Sequence, residues 1–277
     1  MLLTIGFLFL VPFVIGILAV RPMPAPGWGA RLLAPLLPCT ICMVIAGIMG
    51  WEGSICLVMA APVWLVMGSL GGLAGGYGRP TSRSIAPVLA APLVLIAIEQ
   101  GIDSPRALRE VQTAIRIAAP PDVVWRQVIR VPAIAPAELP WSFVYSIGFP
   151  RPVEATLSHE GVGGVRHASF ERGVVFIETI DDWVAERRLA FHFHADPATI
   201  PPTALDEHVT VGGPFFDVLE GRYELEPVPG GVVLHLASRH RLSTHFNFYA
   251  GLWTDAVMRS VQETILAVLK ARAEAAA

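Results

Sequence analysis

Apolar residues fill the first hundred positions almost without interruption, and the pattern then changes to short alternating segments. Four apolar runs come first: Leu2–Val20, Leu32–Gly50, Ser54–Leu73 and Ile85–Ile98. A run of about 20 such residues is long enough to cross a bilayer as a helix. The fourth run is shorter and carries Pro87 and Pro92, so a complete crossing there is the least secure part of a four-helix reading. Beyond Gly101–Arg109, which reads as a polar connector, alternation of apolar and polar side chains marks strands over Val111–Ile117, Val153–Ser158, Val165–Glu171, Val174–Trp183 and Arg188–His194. Two more strands, Phe215–Pro227 and Gly231–Arg241, meet at Pro229-Gly230-Gly231. Between the first strand and the second, Pro121 and Asp122 open a helix, and a short second helix lies within Val131–Pro140.

The last pattern is helical. From Thr244 to about Ala273, Phe246, Tyr249, Trp253, Val257, Val261, Ile265 and Val268 recur on one stripe, with Asp255, Arg259, Gln262, Glu263, Lys270 and Arg272 opposite. Such an amphipathic rod needs a large apolar partner, and the preceding run of strands supplies one.

Composition divides the chain in the same place. Of 277 residues, 53% are hydrophobic and 16% charged, but from Met1 to Ile98 the only charged side chains are Arg21, Arg31, Glu52, Arg79 and Arg83. The expected organisation is a transmembrane region over 1–100 and a separate domain over 110–277. Basic residues flank the first and third loops, so these face the cytoplasm. Four spans then put the last domain in the periplasm of a bacterial inner membrane; failure of Ile85–Ile98 to span puts it in the cytoplasm. The net charge of -3 offers no footprint for nucleic acid. No charge sits in the middle of a span, which argues against an ion path. Cys39 and Cys42 have CxxC spacing but lie inside an apolar run, where they read as small residues of a membrane helix.

Candidate chemistry is sparse. No GxSxG, HExxH, phosphate-loop or dinucleotide pattern is present. His192 and His194 share the polar face of their strand, which points to water rather than to a metal. His240 closes the otherwise apolar face Val232, Leu234, Leu236, Ser238, and is a candidate acid–base group or a histidine satisfied by the backbone. Glu178 shares a face with Phe176 and Ile180 and needs a partner if it is inside, an arginine on a neighbouring strand being the ordinary one.

The order strand, helix, short helix, meander and long helix resembles the START-like superfamily, also called SRPBCC or helix-grip, over roughly the last 60% of the chain. The matching stretches are Ala118-Ala119-Pro120-Pro121-Asp122-Val123-Val124-Trp125, the Gly161-Val162-Gly163 turn and Leu225-Glu226-Pro227-Val228-Pro229-Gly230-Gly231. The resemblance implies an α+β helix-grip fold, a curved antiparallel sheet around the C-terminal helix, with an apolar cavity between them. Alternation then gives Phe176, Phe191, Phe193, Tyr223, Leu236 and Trp253 as its lining. The expected function is membrane-anchored binding or transfer of an apolar small molecule, a lipid, isoprenoid or polyketide-like chain, with no cofactor and no metal. The alternative is a cyclase or dehydratase in which His240 or Glu178 moves protons.

Overall fold

A computed structural model describes residues 4–77, 85–194 and 210–277. The chain divides into two compact units. One comprises Met1–Pro105 with Thr244–Asn247, the other Arg106–Ser243 with Phe248–Ala277.

The first unit is helical. A π-helical turn, Gly6–Leu10, runs into α1 (Val11–Val20); α2 (Trp28–Leu33), α3 (Leu36–Ile48), α4 (Ser54–Tyr77) and α5 (Ile85–Glu99) follow. Glycines let α1 and α4 touch backbone to backbone. A Cβ on Gly16 would lie 2.0 Å from the Gly68 carbonyl oxygen, and one on Gly71 would lie 1.9 Å from that of Phe13. Glu99 is buried, and its carboxylate accepts from the amides of Ile5 and Gly6 at 3.0 and 3.1 Å. That satisfies donors which the first turn of a helix leaves without partners.

Among the described residues two helical stretches, not four, have the length and apolarity to cross a membrane: Trp28–Ile48, with 21 residues, and Ser54–Gly76, with 23. The expectation of about four transmembrane helices is corrected accordingly. At 1.5 Å per residue, the shorter apolar helices Gly6–Val20 and Ala86–Glu99 fall short of a hydrocarbon layer about 30 Å thick. Arg79 and Arg83 lie outside the described residues.

The second unit is one curled antiparallel sheet with a long helix. Its strands are β1 (Arg106–Ile117), β2 (Pro152–Leu157), β3 (Val165–Phe170), β4 (Val175–Val184), β5 (Arg188–His194), β6 (Phe216–Val228) and β7 (Gly231–Ser243), in the order β1-β7-β6-β5-β4-β3-β2. Strands β1 and β2, consecutive in sequence, are the two edges. The connection between them carries α6 (Pro121–Ile129) and α7 (Phe143–Ser146). This arrangement, with a C-terminal helix packed on the sheet, fits the helix-grip architecture.

Local sequence explains the elements. Proline at the first position and Asp122 in the first turn start α6, and Val123, Val124, Trp125, Val128 and Ile129 are buried. Val228 pairs with Gly231 across a loop of Pro229 and Gly230, with Gly230 at φ 78°. Proline followed by a residue at positive φ is the pair that a type II turn requires. Strand β1 begins well before the expected Val111, so Arg106–Arg109 belongs to the sheet rather than to a connector. Pro197, Pro201 and Pro202 mark Asp196–Thr210 as a long loop in the sequence, and all of it but Thr210 lies outside the described residues.

Helix α8 (Asn247–Ala275) begins three positions later than the pattern suggests. Its Leu266, Leu269 and Ala273 join Ile117, Val232, Leu234 and Leu236 in one core, while Met258 packs on a smaller cluster of Val174, Val211 and Val218. Gln262, assigned from sequence to the solvent side, is instead 2% exposed. Its amide nitrogen donates to the Val111 carbonyl at 3.0 Å and to Ser238 Oγ at 2.9 Å, and its oxygen accepts from Thr113 Oγ1 at 2.8 Å. With donors and acceptor all partnered, the buried amide is tolerated.

Candidate functional site

The face of the sheet that carries α8 holds most of the residues singled out from sequence. Strand pairing sets Arg166 opposite Glu178, Glu178 opposite Phe193, and Tyr223 opposite Leu236. The rings form a chain: Phe176 to Phe193 with centroids 5.7 Å apart, Phe193 to Phe191 at 5.2 Å, and Phe191 to Tyr223 at 6.1 Å. Their edges meet faces at steep angles in the first two pairs, the arrangement that aromatic quadrupoles favour. Phe191 lies over Gly221, where a Cβ would come within 2.5 Å of its ring. The aromatic lining is thus closed on itself. Trp253, half-buried, sits in the first half of α8.

A charged pair stands inside this apolar wall. Arg166 Nη1 donates to Glu178 Oε2 at 2.5 Å, with both side chains at most 5% exposed. The guanidinium carbon lies 5.9 Å from the Phe191 centroid and 5.8 Å from that of Tyr223, a range in which a cation is attracted to a ring. Arg166 Nε is buried without a hydrogen-bond partner among the described residues. Burial pushes the Glu178 carboxyl above the usual carboxylate range, while the Arg166 charge pulls it back. Burial likewise raises the Tyr223 hydroxyl. Glu178 therefore has the neighbouring-strand arginine that its inward position demanded.

The second polar group lies where β7 and β1 meet α8. His240 is fully buried, with Nε2 3.2 Å from Thr254 Oγ1 and 3.7 Å from Asp255 Oδ1. Thr254 Oγ1 donates to the Gly251 carbonyl at 3.3 Å, which leaves its lone pair for an Nε2–H and makes His240 Nδ1 the bare acceptor. That Nδ1 has no partner among the described residues. The Phe216 ring is 5.5 Å from the imidazole. Burial holds the His240 pKa below 6.5, opposed by Asp255 and assisted by Arg109. Arg109 clamps Asp255 from Nε at 2.8 Å and Nη2 at 2.5 Å, and these bonds keep the Asp255 carboxyl below its usual range.

Arg109 and Arg166 were not singled out from sequence. The signal for Arg109 was available, since it continues the inward series Val111, Thr113, Ile115, Ile117 by one step. Arg166 follows from pairing β3 with β4, which sets it across from Glu178. His192 is half-exposed and sits 2.9 Å from Asp181 on the outer face. No group of three metal-ligating side chains occurs among the described residues. On the outer face Arg239 pairs with Glu220, and Arg222 with Glu224.

No protein-family model matches the chain, and no curated protein does. Solved structures to which it is similar include the protein NE0264 from Nitrosomonas europaea, at 13% identity over 60% of this chain and 95% of that one, with a TM-score of 0.37. The Aha1 dimer from Colwellia psychrerythraea is 11% identical over 58% and 96%, with a TM-score of 0.34. The di-domain ARO/CYC BexL from the BE-7585A biosynthetic pathway is 16% identical over 74% and 61%, with a TM-score of 0.39. At these values the likeness carries no argument about activity. The helix-grip description rests on the strand order and on the packing of α8.

Proposed function

We propose that this chain is a membrane-anchored protein that binds or transfers an apolar small molecule, a lipid, isoprenoid or polyketide-like chain, between the sheet and α8. The observation that carries the reading is the desolvated Arg166–Glu178 pair ringed by Phe176, Phe191, Phe193 and Tyr223, with Arg166 Nε unused. A buried ion pair seldom stabilises a fold better than apolar residues of the same size. A mostly apolar wall with a few fixed polar groups is how small-molecule sites are built. The unused N–H fits a guest that is apolar along its length and carries one acceptor oxygen. Since the rings now touch one another, admission of the guest requires them to part.

Membrane anchoring is supported by the first unit. On α3, Leu37, Ile41, Val44 and Ile48 form an exposed apolar stripe at helical spacing, with Ile48 79% exposed. Such a stripe suits lipid rather than water. The test of the binding site is a long-chain alkyl diazirine probe added to the full chain in detergent. Photolabelled peptides within 165–194 and 216–241 support the reading; label confined to residues 4–99 contradicts it.

The alternative is an enzyme of cyclase or dehydratase type acting on the same ligand, with His240 or Glu178 as the proton carrier. The bare, fully buried Nδ1 of His240 is what favours it. His240→Ala should then abolish turnover and leave photolabelling nearly intact; equal loss of both supports binding alone.

A further inference from the structure

The two edges of the sheet are treated differently. Strand β2 is short, and a neighbouring segment pairs with its outer side. The Val131 amide donates to the Ala155 carbonyl at 2.9 Å, the Ala155 amide returns the bond at 2.8 Å, and the Ile134 amide donates to the Val153 carbonyl at 2.7 Å. Strand β1 has 12 residues, and no backbone segment among the described residues pairs with its outer side. Side chains of α8 donate to its backbone at the Val111 and Arg116 carbonyls, through Gln262 and Lys270. Beside it runs a groove of about 350 Å³ lined by Gln112, Thr113, Ile115, Arg259, Glu263 and Leu266. A long uncovered edge is a template for another strand unless something blunts it.

We infer that this edge receives the β1 strand of a second copy of the chain, antiparallel and centred on Thr113. The sequence of β1 selects the partner and the register. Centring on Thr113 sets Glu110 opposite the partner's Arg116, and Arg116 opposite the partner's Glu110, both on the exposed face. On the inner face it sets Val111 opposite the partner's Ile115. Shifting by one pairing step in either direction loses both charge pairs, and a centre at Glu110 would oppose like charges. Helix α8 repeats the complement. It runs alongside β1 in the same sense, since Asp255 meets Arg109, Gln262 meets Thr113, and Lys270 meets Arg116. A two-fold axis through Thr113 therefore brings exposed Arg259 of each copy toward exposed Glu263 of the other. An isologous contact of this kind is closed, so it stops at two copies.

The test uses the full chain in detergent. Light scattering should give a protein mass of about twice 29.8 kDa. Glu110→Arg alone and Arg116→Glu alone should each raise the dimer Kd about tenfold or more, because each places like charges opposite one another at two symmetric positions. The double variant Glu110→Arg/Arg116→Glu should restore it. The register has its own readout: opposed residues in such a ladder have Cα atoms about 4.5–5.5 Å apart, within reach of a disulfide. A Gln112→Cys/Ala114→Cys chain should therefore give an oxidised dimer that the native cysteines alone do not. A monomer, or a dimer that fails both the charge swap and the cross-link, overturns the inference.

Discussion

Arg166 is the residue whose placement most needs a reason. Replacing it by Met leaves Glu178 buried beside apolar rings with no cation. The cost expected on removing one partner of such a pair is about 3–5 kcal/mol, read by denaturant unfolding in detergent through the fluorescence of the Trp125–Trp183 pair. Adding Glu178→Leu should recover most of that stability and should not recover alkyl labelling, which separates a binding role from a structural one. His240 gives a pH prediction. Its folded pKa lies below the 6.5 of the unfolded chain, so the unfolded state binds more protons in the interval between them. Stability should be full above about pH 6.5, fall as pH drops below that value, and level off once the folded imidazole is protonated too. His240→Phe should flatten that slope; an unchanged slope would assign it to other groups.

At the scale of elements, α8 is fastened by packing at one end and by hydrogen bonds in its middle. Leu269 is fully buried, and Leu269→Ala should cost about 2.7–5 kcal/mol. Gln262→Leu strands the Thr113 and Ser238 hydroxyls and should cost about 2–3 kcal/mol by the same unfolding assay, while Gln262→Glu should be worse because it loses the amide donor. In the first unit, Gly71→Leu places a side chain where the Phe13 carbonyl stands and should disrupt the α1–α4 contact, seen as faster proteolysis. The same elements show how far the sequence could be read. Strands with clean alternation, such as Arg188–His194, and the turn at Pro229-Gly230 were visible because a two-residue period and a Pro-Gly pair each have one geometric meaning. The start of β1 was hidden because Arg106 and Arg109 look like connector residues until Asp255 supplies a partner. Gln262 was misassigned because polarity signals solvent only when the side chain lacks partners inside. The Arg166–Glu178 contact was half legible, since the strand face of Glu178 follows from periodicity and its partner needs the register.

For the whole molecule, sidedness follows from the proposed anchoring through the two helices long and apolar enough to cross a membrane. If Trp28–Ile48 and Ser54–Gly76 are the spans, the segments before Trp28 and after Gly76 share one side, and with them Arg21, Arg79 and Arg83 of the sequence. On that proposal, the positive-inside rule puts this side in the cytoplasm. Protease added to intact cells should therefore spare the C-terminal domain and digest it only after the cells are opened; digestion in intact cells would restore four spans. The central claim is that the interior between sheet and α8 takes up a greasy guest, and a native mass spectrum of the full chain released from detergent tests it most directly. The expected result is a species heavier than 29.8 kDa by one small molecule, absent from the Arg166→Met/Glu178→Leu chain. A wild-type spectrum with only the bare mass, or the same adduct on both chains, would contradict it.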